Sequence, residues 1–116
     1  MLSITETNVT IMVRDLDISI NFYQKIGLNL KKRWEDHYAM METTGITIGL
    51  HPSTEVLSSN KGISIGFMVK DIKEPENVLI KNKIQYEFRE GKSGKYLNFK
   101  DPDGTELYFT EPGWNY

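Results

Sequence analysis

Two histidines, His37 and His51, and three carboxylates, Glu42, Glu106 and Glu111, are the side chains with which this chain can hold a metal ion or carry a proton. A two-histidine site needs both imidazoles within reach of one ion, and the spacing of His37 and His51 matches no zinc pattern. His51, beside Pro52, is either a proton carrier or a turn residue. Glu106 is either a base, a partner for a ligand cation, or a solvated strand residue. Tyr108 is a hydrogen-bond donor in a cleft or a strand tyrosine with its hydroxyl in water. Trp34 offers a stacking face for a planar ligand, or it covers an edge. Arg33 and Arg89 can bind an anion or lie solvated, and Met12 and Met68 can line an adaptable apolar pocket or fill space. No serine nucleophile motif, phosphate-cradling glycine loop or spaced carboxylate pair is present. Asp101-Pro102-Asp103-Gly104 lacks the further oxygen ligands of a cation loop.

The element that positions Glu106 and Tyr108 is Phe99 to Glu111. Pro102 presets φ for the second position of a turn, Asp101 can bond forward to the turn backbone, and Gly104 can take a positive φ. Leu107 and Phe109 then alternate with Glu106, Tyr108 and Thr110, the period of a two-faced strand. Upstream, Asn8 to Val13 alternates and is rich in β-branched residues, which predicts a strand. Asp15 or Asp17 can cap a helix whose stripe is Ile18, Ile20, Phe22, Tyr23 and Ile26, ended by Gly27. Leu28 to Glu35, His37 to Glu42 and Ile46 to Leu50 read as three further strands. Pro52 to Gly62, with Ser58, Ser59 and Asn60, reads as a polar connector.

The pattern then restarts. Met12-Val13-Arg14-Asp15-Leu16 returns as Met68-Val69-Lys70-Asp71-Ile72, 56 residues on. The same step sets Leu28 on Ile84, Leu30 on Tyr86 and Arg33 on Arg89, and Gly45 to Leu50 matches Gly104 to Phe109 at a step of 59. Pro75 falls in the first turn of the second helix, where a missing N–H costs little. A repeat near half the chain length predicts two copies of one unit, each strand, helix, strand, strand, strand. The expected fold class is α+β: two tandem βαβββ modules forming a cupped mixed sheet around a cleft. Module one runs from about 6 to 52, a connector from 53 to 61, module two from about 62 to 111, and a tail from 112 to 116. In this single domain, Val9, Ile11, Val13, Ile65, Phe67 and Val69 should pack under the helices. Asn8, Thr10, Met12, Thr47, Gly49 and His51 should face the cleft from one half. Ser64, Gly66, Met68, Glu106, Tyr108 and Thr110 should face it from the other. Trp114 and Tyr116 end a tail that either folds over the cleft or a dimer seam or is disordered.

At 116 residues with a net charge of −2, the chain can bury a core and carries no excess charge that would suit nucleic acid or an anionic membrane. It has no cysteine, hence no disulfide, thiolate ligand or thiol nucleophile. The opening residues lack the basic region and apolar run of a secretion signal, no apolar run approaches a membrane span, and a cytoplasmic location is expected.

Val9 to Leu16, then Asn21-Phe22-Tyr23 and Gly27-Leu28, resemble the opening of the vicinal oxygen chelate superfamily, which includes glyoxalase I, extradiol dioxygenases and bleomycin resistance proteins. Phe99 to Phe109 resembles its closing hairpin. The resemblance spans about residues 6 to 111 and implies paired βαβββ modules, often in a homodimer. Metal-dependent members place His, Gln or Glu at four cleft-facing positions, which here carry Asn8, Gly49, Ser64 and Tyr108. Gly49 has no side chain, and the other three are poor donors for a transition metal. The expectation is a metal-free, non-catalytic protein with no cofactor that sequesters a small organic ligand. The ligand is expected to touch Asn8, Thr10, Met12, Trp34, Gly49, His51, Ser64, Met68, Glu106 and Tyr108. The alternatives are a metal-dependent lyase or dioxygenase with atypical ligands, or a metal-free acid–base enzyme using Glu106, His51 or Tyr108.

Overall fold

Helix α1 (Leu16–Lys25) begins where a side chain can close it. Asp15 lies in extended backbone, and its Oδ1 accepts the Ile18 N–H at 3.0 Å, satisfying a donor the helix itself leaves open. The helix buries Leu16, Ser19, Ile20 and Tyr23. Ile18, expected in that stripe, is 55% exposed, because at about 100° per residue it stands some 200° from both Leu16 and Ile20.

The computed structural model describes residues 2–55 and 60–113. Ser58, Ser59, Trp114 and Tyr116 lie outside the described residues. The chain divides after Asn60 into two compact units, and each is a βαβββ module. Module one is β1 (Asn8–Val13), α1, β2 (Asn29–Trp34), β3 (Tyr38–Thr43) and β4 (Ile46–Pro52). Module two is β5 (Ser64–Met68), α2 (Lys73–Lys81), β6 (Tyr86–Gly91), β7 (Gly94–Lys100) and β8 (Glu106–Pro112). The sheets have orders β1-β4-β3-β2 and β5-β8-β7-β6. β1 with β4 and β5 with β8 are parallel, and the other neighbours are antiparallel. None of the described helices is long and apolar enough to cross a membrane.

Under α1 the sheet buries Ile11, Val13, Ala39, Met41, Ile48 and Leu50. In module two, Leu79 of α2 is buried with Ile65, Leu97, Phe99, Leu107 and Phe109, and Phe99 stacks on Phe109 with centroids 5.3 Å apart. Ile72, at the start of α2, has no cap of its own. Asp71 Oδ1 accepts the Lys73 N–H, and Glu111 Oε1 of β8 accepts the Ile72 N–H, each at 2.9 Å.

The repeat is not a constant offset. A bulge between Leu30 and Lys32 inserts Lys31 into β2. Beyond it, Trp34 pairs with Tyr38 as Arg89 pairs with Tyr96, while Arg33 pairs with Ala39 toward the helix side. The expected equivalence of Arg33 and Arg89 therefore fails. Arg33 instead ties α1 to the β2–β3 turn through Asp17 (2.5 Å) and Asp36 (2.9 Å). The Asp17 carboxylate, ahead of Asp36, raises its already high pKa. Arg89 bonds Glu87.

The two helix ends also differ. Gly27, after α1, has φ +109°, whereas its counterpart Lys83, after α2, takes φ +57° with a side chain attached. Left-handed backbone is costly for residues with a Cβ. Lys83→Gly is expected to stabilise the protein by about 0.5–1 kcal/mol; no rise in the urea midpoint would contradict this.

Candidate functional site

Each sheet has one face covered by its helix and one open face. Ladder partners share a face, so the open faces are grids of cross-strand rows. In module one, Asn8, Thr47, Glu42 and Asn29 form one row, and Thr10, Gly49, Met40 and Lys32 the next. Met12 and His51 follow, with Tyr38 and Trp34 beyond them. In module two, Ser64, Glu106 and Lys100 form the first row, Gly66, Tyr108, Asn98 and Glu87 the second, and Met68, Thr110, Tyr96 and Arg89 the third.

Module one's face is tied together by its own side chains. Tyr38 lies across Gly49, where a Cβ would run into its hydroxyl. That hydroxyl and Thr10 Oγ1 are 3.0 Å apart. The ring is flanked by Trp34 at 5.5 Å and His51 at 6.4 Å, and Lys32 Nζ sits 4.8 Å over the indole, a cation–π distance. At the outer edge of β1, Asn60 grips the Met12 backbone: Oδ1 accepts the N–H at 2.9 Å and Nδ2 donates to the carbonyl at 2.6 Å. This occupies edge groups that would otherwise invite another strand.

Glu6, just before β1, reaches the first row. Its Oε1 accepts from Lys31 Nζ at 2.6 Å and from buried Thr47 Oγ1 at 3.1 Å. The Lys31 hydrogen bond, then that from Thr47, holds the Glu6 carboxyl below the usual carboxylate range, and Glu6 raises Lys31 in turn. A carboxyl lowered by folding contributes stability above its unfolded pKa and loses it as pH falls through its folded pKa. Proton NMR at Thr47 and Lys31 should therefore show the tie opening only at acid pH, below the usual carboxylate midpoint. Glu6→Gln should remove that transition, and an unchanged titration in the variant would refute the assignment.

Module two's face is open. Tyr108 lies across Gly66, where a Cβ would meet its ring, and Tyr96 stands 6.1 Å away, centroid to centroid. Above the first two rows is a hollow of about 700 Å³ lined by Ser64, Gln85, Glu87, Asn98, Lys100, Glu106 and Tyr108, together with Tyr86, Phe99 and Leu107, whose side chains belong to the helix side. The side chains of Ser64, Asn98, Lys100, Glu106 and Gln85 have no hydrogen-bond or ion-pair partner among the described residues. Thr110, expected on this face, is only 4% exposed, and its Oγ1 also lacks a hydrogen-bond partner. Tyr86 turns to the helix side, where its hydroxyl donates to Glu76 at 2.9 Å. That bond, then burial, raises its pKa.

The ten residues expected at a ligand fall into two groups. Asn8, Thr10, Met12, Trp34, Gly49 and His51 share module one's open face, and Ser64, Met68, Glu106 and Tyr108 share module two's. Of the second group, Ser64, Glu106 and Tyr108 line the hollow and Met68 does not. His51 belongs to β4 and not to a turn. The sequence reading missed Tyr38, Asn98, Lys100, Glu87 and Glu6. Tyr38 was legible in principle, since Tyr38, Met40 and Glu42 alternate along one strand.

The residues do not fit a divalent metal. Gly49 offers no donor, and Tyr38 fills the space above it. Tyr108 lies flat over Gly66. His37 is in a turn 3.8 Å from Glu35, and Glu111 is engaged with the Ile72 N–H at the start of α2. Among the described residues, no group of three or more His, Cys, Asp or Glu side chains converges.

The family model described as Glyoxalase/Bleomycin resistance protein/Dioxygenase superfamily matches residues 7–109. No curated protein matches the chain in sequence. Among solved structures, the chain is similar to a bleomycin resistance determinant encoded on the transposon Tn5 (17% identity, 96% of this chain and 100% of that one, TM-score 0.77). It is also similar to lactoylglutathione lyase from Agrobacterium tumefaciens (13%, 95% and 96%, 0.76). A third is a bleomycin-binding protein complexed with bleomycin (19%, 93% and 98%, 0.71). At these identities the likeness carries the fold and no activity. With its duplicated βαβββ modules and a model match over most of its length, the chain belongs to the glyoxalase/bleomycin resistance protein/dioxygenase superfamily.

Proposed function

We propose that this protein binds and sequesters a small organic molecule, without metal chemistry, and that the hollow of module two is the seat. The observation that carries the reading is the contrast between the two open faces. In module one Thr10 bonds Tyr38, which fills the space over Gly49, and Thr47 bonds Glu6, whereas module two presents unpartnered polar side chains around a hollow of about 700 Å³, a size that suits an organic ligand. The metal-ligand positions held by Asn8, Gly49, Ser64 and Tyr108 support the metal-free part. The bleomycin-binding neighbour supports small-molecule binding as a use of this fold. The reading includes a cytoplasmic homodimer, which size-exclusion chromatography with light scattering would test.

Elemental mass spectrometry on protein purified without nickel or chelators is expected to find no stoichiometric transition metal. A thermal-shift screen of aromatic and cationic compounds is expected to find a stabilising ligand whose effect is lost in Tyr108→Ala. One metal ion per chain, or a screen without a single shift, would overturn the reading. The lyase neighbour favours a second reading, an enzyme. In a metal-free version, exposed Glu106 would act as the base. Turnover that depends on pH and is abolished in Glu106→Gln would establish it.

A further inference from the structure

We propose that the hollow of module two takes a zwitterion, a compact ligand whose ammonium goes to Glu106 and whose carboxylate goes to Lys100. This rests on the binding reading above and names its ligand class. Lys100 and Glu106 are direct partners across the β7–β8 ladder. Residues so placed have Cβ atoms about 5 Å apart, and opposite charges there ordinarily pair. Here they do not: both line the hollow, and neither has an ion-pair or hydrogen-bond partner among the described residues.

The surroundings sort the two ends. Ser64 is the other ladder neighbour of Glu106, and its hydroxyl can accept from an ammonium. The Asn98 amide stands one row up from Lys100 and can donate to a carboxylate. The remaining charges near the hollow, Glu87 and Arg89, neutralise each other at 2.8 Å. A ligand of one sign would satisfy one end and meet like charge at the other, whereas a zwitterion satisfies both. The ring of Tyr108, laid flat by the bare Gly66, gives the ligand's body a floor.

Module one supplies an independent observation. Thr47 and Glu42 occupy the ladder places that Glu106 and Lys100 hold in module two. That row is already filled by an ionised group, the Glu6 carboxylate on Thr47 and Lys31. In this fold the row thus seats a charged group, and in module two it waits for one from outside.

The test is calorimetry and thermal shift with a panel of free amino acids, each with its methyl ester (cation only) and its N-acetyl form (anion only). At least one free amino acid is expected to bind about tenfold more tightly than either derivative, the value of one charge-assisted contact. Glu106→Gln should abolish the preference over the N-acetyl form, and Lys100→Met the preference over the ester. Both substitutions are at exposed positions, and circular dichroism checks the fold. Equal binding of ester and free acid, preferences unmoved by the variants, or no binding by any amino acid overturns the proposal. If a neutral or singly charged compound then binds and is lost in Gly66→Val, the zwitterion class falls and the binding reading stands. If nothing binds at all, both fall.

Discussion

Gly94→Ala should cost about 3 kcal/mol or more, the largest single-residue effect expected outside the apolar core. Gly94 opens β7 at φ +132°, where an L side chain is strained. An added Cβ would also run into the Glu111 carbonyl oxygen and lie 2.8 Å from the Gly113 nitrogen. Both are backbone atoms, Glu111 in the β7–β8 ladder and the Gly113 N–H bonded to the Ser93 carbonyl at 2.9 Å, so the clash cannot be relieved by a rotamer change. Gly104→Ala is the control. It too sits at positive φ, +87°, but nothing lies within 4 Å of its Cβ position, so only conformational strain applies, about 1–2 kcal/mol. Urea denaturation of the two variants separates backbone clash from strain. Equal losses would mean that the clash at Gly94 contributes nothing.

Asp101→Ala is expected to cost about 2–4 kcal/mol, because it strips partners from two backbone donors at once. Asp101 is 5% exposed. Its Oδ1 accepts the N–H groups of Asp103 at 2.9 Å and Thr105 at 2.8 Å, and the turn closes through Gly104 N–H to the Asp101 carbonyl at 3.0 Å. Asp101→Asn keeps an acceptor oxygen in place and should cost only about 1 kcal/mol. Because the same turn sets the register of β8, the alanine variant should also weaken any ligand held by Glu106 and Tyr108. If asparagine and alanine prove equally damaging, Asp101 acts through its charge and not through these two bonds.

That turn was legible in the sequence, and so were a helix start at Asp15 or Asp17, Pro75 in the first turn of α2, and the order of strands in both modules. Each depends on residues within a few positions of one another. The division of β1 and β8 into covered and open faces was legible for the same reason, since alternation is local. What the sequence concealed lies at the ends of long side chains. The Tyr38 hydroxyl reaches over Gly49, Asn60 clamps a backbone 48 positions away, and Glu6 is held by Lys31 and Thr47 on two different strands. No periodicity encodes such contacts. The empty side-chain position at Gly49 was visible, but its filling by Tyr38 was not. The chemistry of the hollow was half visible: Glu106, Ser64 and Tyr108 were read correctly onto the open face. Lys100 and Asn98 lie on the neighbouring strand β7 and meet Glu106 and Tyr108 only through the pairing of β7 with β8, which alternation along one strand does not give.

One extra residue, Lys31, has an effect out of proportion to its size. It acts as a vernier on an outer strand: the sheet beside it stays in register, while everything after it in β2 is turned by one step. Trp34 thereby comes to the place that a counted repeat would give to Arg33, and its counterpart in the other half is Arg89. The two halves could diverge from an aromatic surface to a charged one without touching the core. Any role transferred between them by counting residues alone will be assigned to the wrong side of the sheet past that point.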